Sequence, residues 1–256
     1  LARLLHALAA AEPDLGAVAQ IASGVVAMSA TLIRVASGAL FAGFQPAQTV
    51  GQAMTRLGLR HTADVMTGFL VRHALPVNHP QLQRFWERST KRAVAMAGLA
   101  RELPGLSPDL AYTFGLFCHV GQPVLLQSVK GYGGTLAEAG ARRDRSFIAT
   151  ENANHRTDHA VVGALVARVW RLAPAVMCAI RLHHELQTFG GAAAEPEVHT
   201  LVAAGLVAEH LMRRHEGLDP EGEWNEHGAA ALAWLQVDGD TLEDWAEMLR
   251  PALDAA

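Results

Sequence analysis

Cys118 and His119 sit side by side in "GLFCHVGQPVLL" (115–126), and a thiolate next to an imidazole could hold zinc, iron or another borderline metal. Two adjacent residues do not make a site, so at least one further ligand must come from elsewhere. His155, His159, His183 and His184 are the candidates. His183, His184 and Glu185 follow one another in "AIRLHHELQ", and His159 follows Asp158 in "NHRTDHAVVG". Each has a plainer reading. Cysteine packs readily as a small hydrophobe. A buried histidine is as well served by a carbonyl or carboxylate partner as by a metal, and Asp158 or His159 could simply cap a helix.

Other chemistries find no support. "KGYGGT" (130–135) matches neither a phosphate-binding loop nor a dinucleotide fingerprint, and reads as a helix end and turn. "ARRDRS" (141–146) reads as a solvated basic face. The chain has no Gly-x-Ser-x-Gly elbow, no HExxH and no paired CxxC.

The elements that must position these residues are helices. In "DHAVVGALVARVWRLAP" the apolar Val162, Leu165, Val166, Val169 and Trp170 keep the rhythm of a buried helical stripe. Asp158 or Thr157 is placed to cap its start, and Pro174 to stop it and open the next helix. Ser107 and Pro108 repeat that logic before "DLAYTFGLF", and Thr241 with Asp244 resembles a capping box. No segment alternates with period two. The expected fold class is therefore all-α. Gly, Pro, Asn and Asp clusters divide it into an N-terminal helical lobe (1–75), a central lobe of longer helices (76–215) and, beyond a linker at 216–228, a C-terminal helical cap running to 256.

Bulk properties narrow the function. The chain has 256 residues, 50% hydrophobic and 18% charged, enough to bury a large core. Its formal net charge of −4 gives no electrostatic reason to expect nucleic acid or an anionic membrane as partner. Two cysteines are too few for a disulfide framework and fit a reducing cytoplasm. "LARLLHALAAAEPD" meets Glu12 and Asp14 too soon for a signal peptide and reads as an amphipathic helix. No run reaches the roughly 20 apolar residues of a membrane span. The expectation is a soluble, cytoplasmic protein.

Taken together, the motifs resemble the HDOD family, the HD-related output domains of bacterial signalling proteins. "LIRVASGALF" (32–41) resembles its L-x-L-A-N-S-A-x-F helix, with Ser37 and Gly38 where Asn and Ser are favoured. Val50, Ala53, Leu57 and Gly58 match its I-x-x-A-I-x-x-L-G segment, and Phe85, Trp86, Ser89 and Ala93 its F-W-x-x-S-x-x-x-A helix. Glu151, His159, Gly163, Ala164, Trp170, Pro174, His183 and His184 fall where its E…H-A-x-x-G-A…W-x-L-P…H-H pattern expects them.

That resemblance implies a two-lobed helical bundle with an HD-like central lobe. It is similar in fold to the HD phosphohydrolases, which hold metal through a histidine, a His-Asp dyad and a later aspartate. Here those four slots fall on Arg88, Cys118, His119 and, in "LVAAGLVAEHL" (201–211), Gly205. None keeps its residue, and Arg88 would repel a nearby cation. The resemblance thus implies a non-enzymatic output or adaptor module with no metal and no cofactor, working through signalling-protein contacts or a small-molecule or nucleotide ligand. The cleft is expected to be lined by Arg88, Cys118, His119, His159, His183 and His184. The rival expectation is a metal-dependent phosphohydrolase acting on a nucleotide or cyclic dinucleotide, favoured by His183-His184-Glu185.

Overall fold

The computed structural model describes residues 26–37, 45–72, 80–142, 144–169, 172–188, 194–220 and 222–255. The expected helix over 1–14, the divide around 75–79, Gly38 and Trp170 lie outside them. Among the described residues every α-helix and the single 3-10 turn at Leu186–Thr188 confirm the all-α class, and there is no strand. In chain order the helices are α1 (Val26–Ala36), α2 (Val50–Arg72), α3 (Pro80–Glu102), α4 (Pro108–Phe117), α5 (Gly121–Ser128) and α6 (Tyr132–Ala141). They continue as α7 (Phe147–His155), α8 (His159–Val169), α9 (Pro174–Leu182), α10 (Pro196–His215), α11 (Gly222–Leu235) and α12 (Gly239–Ala255).

Local chemistry sets the boundaries. The Ser107 hydroxyl accepts the Leu110 N–H at 3.4 Å and Pro108 takes the first helical position, as the sequence predicts. Asp158 accepts the Val161 N–H at 2.8 Å and so starts α8. The cap of α12 differs from expectation. Asp238 accepts the Thr241 N–H at 2.8 Å, so Thr241 lies inside the helix instead of heading it. Gly58 interrupts α2 with φ 70° and ψ 170°, a left-handed backbone that side-chain-bearing residues avoid.

α3 is the central post, packing against α4, α10 and α12. Its Ala93, Met96, Leu99 and Ala100 fall three or four residues apart along one face and are all buried. Facing them are Phe114, Leu116 and Phe117 of α4 and Leu201, Val207 and Leu211 of α10, each 2% exposed or less. Side chains of this size stabilise the fold by about 1.5–3 kcal/mol each when fully withdrawn from water. α8 packs on α5 and α9, and α9 on α10 and α4. This arrangement brings the C-terminal ends of α4 and α9 to the N-terminal end of α8. α1 packs chiefly on α2, and α11 on α10.

The region expected to be a linker over 216–228 is shorter than that, because α11 begins at Gly222. Two side chains in its first turn explain the early start. Trp224 stacks flat on His210 of α10, with centroids 3.8 Å apart and planes 4° from parallel. Glu223 reaches across to His184. No helix among the described residues is long and apolar enough to cross a membrane.

Candidate metal centre and cleft

Four histidines from three chain turns converge. α4 ends at Phe117, the chain turns through Cys118–Val120, and His119 projects from that turn. The turn is held by Cys118 N–H to the Phe114 carbonyl at 2.8 Å and Val120 N–H to the Phe117 carbonyl at 2.9 Å. His159 is the first residue of α8, and His183 and His184 leave the end of α9. One ligand atom from each of His119, His159, His183 and His184 lies within 4.8 Å of all the others. The His119 ring centroid is 5.1 Å from that of His159 and 4.9 Å from that of His183.

The outer nitrogens of three of these rings are already committed. His159 donates from Nδ1 to Glu151 Oε2 at 2.7 Å, and His183 from Nδ1 to the Ile180 carbonyl at 2.7 Å. His184 donates from Nδ1 to Glu223 Oε1 at 2.6 Å. Carbonyls and carboxylates only accept, so each Nδ1 carries the proton, and in the neutral ring each Nε2 presents a lone pair. Those Nε2 atoms face one another: His159 to His183 at 3.3 Å and His159 to His184 at 3.1 Å.

Adding a proton is a poor remedy for that confrontation. Burial holds His183 well below the ordinary imidazole range, reinforced by His184 and His159. Burial, then the Arg92 guanidinium, does the same to His119. His159 is also lowered by burial, although its bond to Glu151 opposes the shift.

Glu151 is fully buried and is fixed from its far side by the Tyr132 hydroxyl, which donates to Oε1. Tyr132 is itself fully buried. The stretch "KGYGGT" is therefore only partly a turn: Gly131 opens α6 with φ 85°, and the helix runs on from Tyr132. The backbone beneath the site is equally tight. A Cβ on Gly121 would lie 2.1 Å from the His159 carbonyl oxygen, and one on Gly115 would lie 2.8 Å from the Arg92 carbonyl oxygen. The two glycines that bracket "CHV" are the contacts that let α5 meet α8 and α4 meet α3.

Above the histidines opens a cleft of 810 Å³, lined in part by His119, His159, His184 and the arginines Arg84, Arg88, Arg92, Arg142, Arg145 and Arg213. Arg142 and Arg145, expected on a solvated face, form part of its rim. Arg88 lines the cleft but is neutralised, bonding Glu209 and Glu216. The guanidinium that acts on His119 is that of Arg92, 4% exposed and 2.9 Å from Glu209. Cys118 is buried and outside the four-histidine set. Burial pushes its thiol up to about 12, against the opposing pull of Arg92. His155 instead bonds the Thr135 hydroxyl at 2.8 Å.

On α10, a Cβ at Gly205 would point at the Phe114 ring, 2.9 Å from Cε1. The carboxylate this helix does bring to the cleft is Glu209, one turn further on. Sequence reasoning passed over Arg92, Tyr132, Glu209 and Glu223. Only the i, i+4 step from Arg88 to Arg92 could have pointed to one of them.

The HD phosphohydrolases that the sequence resembles hold divalent metal, and the donor set here fits one kind of divalent ion and not another. Four imidazoles suit zinc or another borderline ion, whereas magnesium and calcium require oxygen donors. The residues fit the first kind and not the second.

The all-helical bundle is of the HD-like fold class, with paired histidines where three helix ends meet. The model of the family described as HDOD domain matches residues 1–186, and the chain belongs to that family. It is 22% identical over 233 residues to a Treponema pallidum (strain Nichols) protein described only as uncharacterized, covering 90% of this chain but 44% of that one. The chain thus spans less than half the length of that relative. Among solved structures it resembles the MmoQ response regulator of Methylococcus capsulatus str. Bath, with 19% identity, TM-score 0.72 and coverage of 97% of this chain and 94% of that one. It also resembles a candidate phosphohydrolase of Shewanella amazonensis SB2B, with 22% identity, TM-score 0.52 and coverage of 99% and 90%. At these identities the likeness is one of fold.

Proposed function

We propose that this HDOD chain is a non-enzymatic output or adaptor module of signal transduction, acting through protein contacts or a small ligand held in its cleft. One observation carries the reading: the four-histidine cluster contains no carboxylate. Three carboxylates beside it are already engaged, Glu151 by Tyr132 and the outer face of His159, Glu223 by the outer face of His184, and Glu209 by Arg88 and Arg92. A hydrolytic centre needs an open coordination position for the attacking water and groups that tune its proton. Four imidazoles would fill a tetrahedral shell and leave no such position. The free cysteines and the net charge of −4 support a reducing cytoplasmic setting with protein or small-molecule partners in place of nucleic acid.

A second reading, a phosphohydrolase of nucleotides or cyclic dinucleotides, is favoured by the six arginines around a cleft of 810 Å³. The test is hydrolysis of bis(p-nitrophenyl) phosphate and of cyclic dinucleotides with added Mn2+, Fe2+ or Zn2+. The adaptor reading expects no turnover above that of the Cys118→Ala, His119→Ala double variant. Metal-dependent turnover that this variant abolishes would establish the second reading instead.

A further inference from the structure

We propose that His119, His159, His183 and His184 form a closed site for one borderline divalent cation, zinc in the first instance, locked by Glu151, the Ile180 carbonyl and Glu223. The proposal deepens the non-catalytic reading and rests on it for the closure of the shell. Zinc–nitrogen bonds of about 2.0–2.1 Å place the edges of a tetrahedron at roughly 3.3 Å. The His159–His183 and His159–His184 Nε2 separations are 3.3 and 3.1 Å, so two edges of the set already stand at tetrahedral length. The widest separation within the set is under 4.8 Å, and closing it takes a ring movement of about 1.5 Å.

The lone pairs give the chemical reason. Three Nε2 atoms, each with its proton held on the opposite nitrogen, share one small volume, those of His183 and His184 both within 3.3 Å of that of His159. A cation satisfies all three at once. Three of the four rings also carry the outer bond typical of ligating histidine, a carboxylate or carbonyl on the far nitrogen that fixes tautomer and direction. Glu151 and Glu223 supply negative charge that offsets a dication among neutral ligands. Glu223 lies beyond the 1–186 match to the family model, so part of this lock is built from the chain's own C-terminal segment.

The experiment uses the whole chain stripped with chelator and then dialysed, titrated with Zn2+ alone by calorimetry and with Co2+ alone by visible absorption. The site expects one equivalent of zinc and the intense d–d bands of tetrahedral cobalt. His183→Ala should weaken zinc binding more than 100-fold and remove those bands, and Glu223→Gln should weaken it about 10- to 100-fold. His61→Ala, an exposed histidine of α2, should leave binding unchanged. Should His183→Ala fail to fold by circular dichroism, Glu223→Gln, at a partly exposed position, decides the matter. No saturable binding, an octahedral cobalt spectrum, or binding indifferent to Glu223→Gln would overturn the site. Tight binding with phosphodiester turnover would uphold metal binding but overturn the closed shell and the adaptor reading. Absent binding with absent turnover would overturn the site and leave the adaptor reading standing.

Discussion

The backbone of Gly121 lies against the carbonyl of His159, so close that a Cβ on Gly121 would sit 2.1 Å from that oxygen and 2.8 Å from the Gly163 nitrogen. This contact sets the distance between the turn bearing His119 and the helix start bearing His159. Gly121→Ala must push α5 away from α8, and overpacking of this severity should cost about 3 kcal/mol. Gly134→Ala is the control: nothing lies within 4 Å of its Cβ position, and the lost unfolded-state freedom should stabilise the fold by about 0.5–1 kcal/mol. Urea unfolding of both variants checks the contrast, and equal midpoints would refute it.

Tyr132 and Glu151 form the buried support of His159. Tyr132→Phe keeps the ring volume but removes the hydroxyl that donates to Glu151, leaving one buried carboxylate oxygen without that bond. Hydrogen bonds to charged groups contribute about 1.5–3 kcal/mol. A loss in that range is expected in chemical denaturation, with far-UV dichroism unchanged. A variant as stable as the parent would show that another group satisfies Glu151.

The two cysteines should differ sharply towards a thiol reagent. Cys178 is exposed, while Cys118 is buried with its thiol raised to about 12. Ellman's reagent at pH 8 should titrate one thiol rapidly in the native protein and both in guanidinium. Fast modification of both in the native state would contradict the packing around Cys118.

Glu209 makes stability acid-sensitive. Burial pushes its carboxyl up, but Arg92 and Arg88 outweigh that and hold it below the usual range. A depressed carboxylate contributes stability that is fully present above its unfolded pKa of about 4.3 and is lost as pH falls through the lower folded value. Glu209→Gln should therefore destabilise the protein at pH 7 by about 3 kcal/mol, since two guanidiniums lose their shared partner. It should also flatten the stability–pH curve below about pH 4.3. Parallel acid limbs for parent and variant would sink this account.

Most of the helices could be read from the sequence because their signals are local. Ser107-Pro108, Asp158 and Pro174 act on their own neighbours, and the stripe from Ala93 to Ala100 repeats along one helix face. The family pattern likewise singles out His159, His183 and His184. What brings them to one point is not local. Their outer partners come from 8 residues away for Glu151 and 39 for Glu223, and no periodicity encodes such pairings. Glu223 was hidden for a further reason, since Gly, Asp and Pro around 216–222 resemble a linker until Trp224 finds His210. Arg88 drew attention as an uncompensated charge because Glu209 and Glu216 lie more than 100 positions away in the chain.

The fit of Phe114 against Gly205 bears on how such a chain can change over time. An aspartate at 205 would meet a fully buried aromatic ring in the core and would not reach the cleft. Making room first, by shrinking Phe114, would cost about 3–5 kcal/mol, a large share of the stability of an ordinary domain. Either order of substitution passes through a destabilised intermediate. A lineage carrying this pair is therefore confined: selection can refine an all-imidazole centre one step at a time, but a carboxylate at this point of the helix lies across a valley that single mutations do not cross.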